Sequence, residues 1–303
     1  MVLTGTVLLV LAIVLAWSVP LLLASRTRTY SSGRAALDPI SEVLMWQAVG
    51  LAGGLSLIGA AVVFALAPFA DNLHAGFSRL LDLEGLRVLA WWQWILLVAA
   101  VALSARLLGC LFLQWRDVSR HRRRHAALVD LLTEPSEDLP NTRVLAADEP
   151  VAYCLPGRRS GTTVVSTGLL AVLTPDERRS VVTHEHAHLL FRHELLVLPF
   201  AAWNRALPFL PATSVALRSV SSLIELMADD LARRFVAPEV LSSAIARTAE
   251  VYPGEYRNDL TVARIERLAA PLPPRTARVR ATSAVTAAVL LLAPTAMLVA
   301  PLF

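Results

Sequence analysis

The sequence predicts a mainly α membrane protein, with four transmembrane helices and one cytoplasmic α+β domain. Three observations predict it. Hydrophobic residues make up 55% of the 303-residue chain, above the roughly 45–50% of soluble domains. The excess is gathered into four long runs with little or no charge. Arginines recur in alternate loops, as in a multi-spanning protein, and residues 116–280 carry the mixed polarity of one folded domain.

Residues 1–25 are uncharged, and Arg26 and Arg28 follow the apolar run instead of preceding it. That order predicts a retained anchor with its N-terminus outside, not a cleaved signal peptide. Spans are predicted at about 3–24, 43–70 and 88–113, each long enough for a hydrocarbon core that needs about 20 helical residues. Together they make 1–115 a three-helix transmembrane region. Arg106, the one charge in the third run, is placed near its inner end, where it can snorkel. Residues 281–303, uncharged to the C-terminus, form the fourth helix.

The net charge is +4 and all 28 basic residues are arginine. Their placement points to topology, with no direct nucleic-acid binding expected. Arg26, Arg28 and Arg34 fall in the first loop, "WRDVSRHRRRH" follows the third span, and Arg275, Arg278 and Arg280 precede the fourth. Positive loops stay in the cytoplasm. The reading is therefore a multi-pass cell-membrane protein with both termini and the mixed 71–87 loop outside and residues 116–280 inside. The lipid bilayer is one partner, and a homo-oligomer is left open. Of two cysteines, Cys110 lies in a span and Cys154 in the inner segment, which excludes a Cys-based zinc site and predicts no disulfide.

The inner segment opens with a basic helix over 116–133. Short β-like runs follow at Thr142–Leu145, Val151–Cys154 and Thr162–Ser166, with Pro156, Gly157 and Gly161 marking a turn. A helix then starts at "LTPDE". Thr174 is the N-cap, Pro175 the first helical residue, and Glu177 completes a capping box. Nothing breaks the pattern until Pro199, so "THEHAHLLFRHE", 183–194, sits inside that helix.

His184 and His188, four apart, share one helical face and can hold one zinc ion through ring nitrogens. Glu185, next round the helix, can take a proton from the attacking water; H-E-x-x-H is the zinc metalloprotease signature for this reason. His186 points to the far side. His193, five beyond His188, is also off the face and reads as a supporting or structural residue. Phe191 and Glu194 stand where a metzincin needs glycine and histidine, so that class is excluded.

A third ligand is offered by "LIELMADDLARRF". Glu225 and Asp229 share one face; a His₂Glu set leaves a position open for water, and Asp229 can accept from the far nitrogen of a ligand histidine. Glu194, Glu250 and Glu255 are weaker candidates, and Asp230 is turned away. The apolar stretch between, "LLVLPFAAWNRALPFLPATSVAL", cannot be a fifth span, because one crossing would part Glu225 from His184. It reads as a helical excursion into the bilayer surface with Trp203 at the interface.

"AYCLPG", "TTVVSTGLLAVLTPDE", "HEHAHLLFRHE", "ELMADD" and "RIERL" at 264–268, with three spans, a domain and a fourth span, make the chain resemble the BlaR/MecR-type regulatory membrane metallopeptidases. Their zinc domain is similar to that of CAAX prenyl endopeptidases and heat-shock membrane peptidases. The resemblance implies a zincin-like domain in which His184, His188 and Glu225 bind Zn²⁺ and Glu185 is the catalytic base. It also implies that Thr162, Thr163, Val164, Val165 and Ser166 form an edge strand pairing with an extended substrate. The protein substrate by this analogy is a DNA-binding transcriptional repressor, cut in signal transduction. The best-known relatives carry an extracellular penicillin-binding sensor after the fourth span; none follows Phe303 here, so direct β-lactam sensing is not expected.

The sequence thus predicts a membrane zinc metalloendopeptidase. A broader quality-control or processing protease and a non-catalytic membrane sensor with a structural zinc are the alternatives. For the oxyanion partner, Arg192, His193, Tyr252 and Tyr256 all stay open.

Overall fold

The structure is a computed structural model that describes residues 1–31, 38–69, 75–76, 78, 80, 89–155, 161–252, 259–271 and 277–299, with the side chains of 26–31 and 130 excepted. Arg26, Arg28, Arg34, most of the 71–87 loop, the Pro156–Gly157 turn, Glu255, Tyr256, Arg275 and the last residues fall outside that description.

The fold is mostly helical. Helices α1 (Val2–Ser31), α2 (Pro39–Leu66), α3 (Trp91–Leu132) and α10 (Ala277–Val299) each contain a stretch long and apolar enough to cross a membrane. Their outer faces stay apolar: Leu3, Val101, Leu108 and Leu292 are each 65–75% exposed. Such a belt is what a bilayer covers and water does not tolerate. The sequence places the third span and the basic helix as two elements; they are one continuous helix of 42 residues, since no glycine or proline interrupts the arginine-rich stretch.

Four short strands follow: β1 (Thr133–Pro135), β2 (Thr142–Leu145), β3 (Ala152–Leu155) and β4 (Thr162–Ser166). Their order is β1-β2-β4-β3. β4 runs parallel to β2 and antiparallel to β3. The expectation that Thr162–Ser166 is an edge strand is therefore overturned. Thr163 donates to Asn141 O at 3.0 Å on one side and Ser166 donates to Val151 O at 2.8 Å on the other, so β4's main chain is spent within the sheet. Among the described residues the free edge beside the next helices belongs to β3.

After a short helix α4 (Thr167–Val172) come α5 (Pro175–Leu190), α6 (His193–Ala206), α7 (Pro211–Ala232), α8 (Pro238–Val251) and α9 (Asp259–Ala269). The predicted capping box opens α5: Thr174 N–H donates to Glu177 Oε2 at 2.8 Å, and Glu177 N–H to Thr174 Oγ1 at 3.4 Å. Glu177 is 3% exposed, and its other oxygen accepts from Ser243 Oγ at 2.6 Å on α8. The cap thus pins the start of α5 to α8. At Gly161 a Cβ would stand 2.1 Å from Leu189 Cδ1, so glycine is what lets α5 lie this close to the start of β4.

The helix was expected to run to Pro199. It ends at Leu190 instead, and Arg192 takes the left-handed conformation, φ 48° and ψ 49°. Pro199 lies inside α6 without ending it. The apolar stretch read as an excursion folds into the two helices α6 and α7, joined by a short turn at 207–210. Trp203 packs its ring against Gly50, about three turns into α2. Phe200, Val220 and Leu223, all fully buried, join Leu15 of α1 and Trp46 and Val49 of α2 in the largest apolar cluster. Arg106 does more than snorkel: its Nε donates to Ala206 O at 2.6 Å, supplying a partner to a carbonyl that the end of α6 leaves open. Thr213 Oγ1 lies 2.8 Å from Leu210 O and 3.1 Å from Leu207 O across the same turn. At the start of α2, Asp38 meets Arg280 of α10 at 3.1 Å.

Candidate metal centre

His184 and His188 stand on α5, and Glu225 comes from α7. Their facing atoms lie close together. His184 Nε2 is 3.2 Å from His188 Nε2 and 3.4 Å from Glu225 Oε2; His188 Nε2 is 3.6 Å from Glu225 Oε1. Ligand atoms about 2.1 Å from one tetrahedral centre stand about 3.4 Å from each other. The three separations bracket that value, and the donors are two nitrogens and a carboxylate, so the residues present fit a divalent cation. They form the His-His-Glu group that can hold a metal ion among the described residues.

The rings are held from behind. His184 Nδ1 lies 2.9 Å from Asp229 Oδ1, one turn beyond Glu225 on α7. His188 Nδ1 lies 2.9 Å from Nδ1 of His193. Asp229 is 1% exposed and also accepts two hydrogen bonds from Arg264 of α9, both at 2.8 Å. Arg264 Nη1 is 3.1 Å from Glu225 Oε2. Asp230 turns to the other side, as its position predicts, and pairs with Arg267 at 2.9 Å.

Charge states follow from these contacts. Burial alone would push His184 down, but Asp229 and Glu225 outweigh it and raise it to about 9. Burial raises Glu225 and Asp229, yet His184 and Arg264 hold Glu225 down at about 2 and Asp229 well below the usual carboxylate range. His188 is lowered to about 4 and His193 to about 3, first by burial and then by neighbouring histidines. Glu185 goes the other way. Burial, with the Glu225 charge beside it, lifts it to about 7, in the range suited to a general base near neutral pH.

Glu185 opens on a cavity of about 210 Å³ that also receives His184, Glu225 and Arg264. Val181, Leu241 and Ile245 give it an apolar wall, and Pro150 and Ala152 bring the β3 edge to its rim. Hydrogen-bonded pairs alternate along an antiparallel ladder. With Val151 paired to Ser166, the main-chain groups of Ala152 and Cys154 point to the free edge.

His184, Glu185, His188, Glu225 and Asp229 are thus brought together. The five β4 residues are not at an edge. Of the weaker ligand candidates, Glu194 pairs with Arg122 and Glu250 is exposed at the end of α8. None of Arg192, His193 and Tyr252 lines the cavity; Tyr252 donates instead to Asp148 O at 2.9 Å. The sequence reading gave no role to Arg264. A signal was present: Asp229 and Asp230 sit in an apolar helix and need cations, and "RIERL" offers two, Arg264 and Arg267, three residues apart.

The model of peptidase family M48 matches residues 115–210, covering the end of α3, the sheet, α5 and α6. The match supports an M48 metallopeptidase and hence a peptidase. It stops short of Glu225, Asp229 and Arg264, which the fold adds from α7 and α9. No curated protein and no solved structure matches the chain.

Proposed function

We propose that the protein is an integral-membrane zinc metalloendopeptidase. The observation that carries this reading is the tetrahedral spacing of His184, His188 and Glu225 with Glu185 beside them at a cavity. His184 and His188 present Nε2, Glu225 presents its carboxylate, and Asp229 fixes His184 by accepting from Nδ1–H. A bound zinc ion supplies Lewis acidity that polarises a carbonyl and makes water nucleophilic near neutral pH. Glu185 takes the water proton and returns it to the leaving amine. Arg264, the cation lining the cavity, faces the developing negative charge. An extended substrate lies along β3, hydrogen-bonded to Ala152 and Cys154.

The placement proposed is the cell membrane, with this site on the cytoplasmic side and both termini outside. Arginine-rich loops support that orientation, and the Asp38–Arg280 pair, which joins the starts of α2 and α10, agrees with it. The BlaR/MecR-like motifs support cleavage of a cytoplasmic repressor in a signalling response. One observation favours a broader membrane-protein protease instead: the ligand-bearing helix α7 packs directly on α1 and α2, which keeps the site near the bilayer plane. Mapping new N-termini in cells with and without the protein separates the two, as one inducible soluble substrate or many membrane-attached ones.

Glu185→Gln tests the enzymatic reading. It is expected to keep metal and lower turnover by at least about 100-fold. Unchanged turnover would favour a sensor with a structural zinc.

A further inference from the structure

We propose that His193 is a positioning residue for the metal centre, holding His188 in the tautomer and orientation that aim its Nε2 at His184 and Glu225. The inference rests on the metal reading above and assigns a role that spacing does not give. On an unbroken helix, five residues place a side chain about 140° round from His188. The chain instead breaks at Arg192, whose φ of 48° is a conformation that residues with a Cβ rarely adopt. An arginine there, without the help glycine would give, marks a constraint imposed from elsewhere. Its result is to swing His193 back, so that its Nδ1 lies 2.9 Å from His188 Nδ1.

The proton positions follow. A bond between two imidazoles needs one N–H and one lone pair. His188 Nε2 faces the other two ligands, so it must keep its lone pair free for the metal. The His188 proton is then on Nδ1 and is donated to Nδ1 of His193. His193 in turn carries its proton on Nε2, which is buried and has no hydrogen-bond partner among the described residues. A buried orphan N–H is a liability that a space-filling side chain would avoid. Phe191 already stacks on the His193 ring, with centroids 5.6 Å apart and planes 4° apart, so the surroundings suit an aromatic hydrocarbon. What phenylalanine could not provide is the acceptor lone pair. His184 has the Asp229 carboxylate 2.9 Å from its Nδ1, and His188 has His193.

The experiment measures zinc affinity by chelator competition on the full chain purified in detergent, together with the visible spectrum of the Co²⁺-loaded protein. His193→Ala and His193→Phe should each bind zinc roughly 10–100-fold more weakly than wild type, with an altered Co²⁺ spectrum. His193→Asn, which retains an acceptor, should recover most of the affinity. Phenylalanine matching wild type would overturn the proposal, because packing alone would then suffice; so would an asparagine variant no better than phenylalanine. A wild-type chain that binds no zinc would instead defeat the metal reading itself.

Discussion

Gly50→Ala is a one-carbon change that should loosen the joint between α2 and the α6–α7 pair. A Cβ at Gly50 would stand 1.9 Å and 2.1 Å from two ring atoms of Trp203, where ordinary contact begins near 3.4 Å. The indole must therefore retreat by about 1.5 Å, a shift that forces side chains off rotamer in packed surroundings. It has little room, since Phe200, fully buried, meets it edge-on with ring centroids 5.1 Å apart. Overpacking of this kind costs about 1–3 kcal/mol. Shrinking the ring should relieve it, so Gly50→Ala with Trp203→Leu should cost less than the two single changes summed, by about 0.5–3 kcal/mol. The assay is thermal unfolding in one detergent, followed by circular dichroism so that loss of a tryptophan does not alter the signal. A single variant within about 0.5 kcal/mol of wild type, or strict additivity, would refute the packing of α6 against α2.

Three further outcomes follow from the site and its supports. Arg264→Met removes the main partner of a carboxylate that is 1% exposed; breaking such a pair costs about 3–5 kcal/mol, read as a lower unfolding temperature with weaker zinc retention. Glu177 is held below its usual pKa: burial would raise it, but Ser243, Thr174 and Arg247 prevail. Its contribution is therefore complete above the unfolded value of about 4.3 and fades as pH falls through the lower folded value. Glu177→Gln should accordingly destabilise at pH 7, with the gap to wild type closing in acid; a gap that widens in acid would contradict the sign. Ala152→Pro and Tyr153→Pro form a contrast on β3. The first removes an N–H that points to the free edge and should mainly raise KM, whereas the second removes one spent on β4 and should lower stability.

Much of the site was legible because it is written on helices. Thr174 and Glu177 fixed where α5 begins, and from that start the spacing of His184 and His188, and separately of Glu225 and Asp229, set which side chains share a face. What was not legible depends on contacts between distant segments. Nothing local in Thr162–Ser166 tells an interior strand from an edge strand, because pairing order is set by where β2 and β3 arrive. The break at Arg192 carries no glycine, asparagine or proline to announce it, so the return of His193 towards His188 could not be read. β1 falls on Thr133–Pro135, directly after α3 with no turn between, where the sequence marks only the end of a helix. The bond from Arg106 to Ala206 O joins residues 100 apart in the chain and has no local signature.

The central claim is one metal ion held jointly by α5 and α7. Elemental analysis of the protein purified in detergent measures it directly, with wild type, His184→Ala, Glu225→Ala and Glu185→Gln compared side by side. The account predicts about one zinc per chain in wild type and Glu185→Gln, and loss of the metal in both alanine variants. Full zinc content in Glu225→Ala would contradict it.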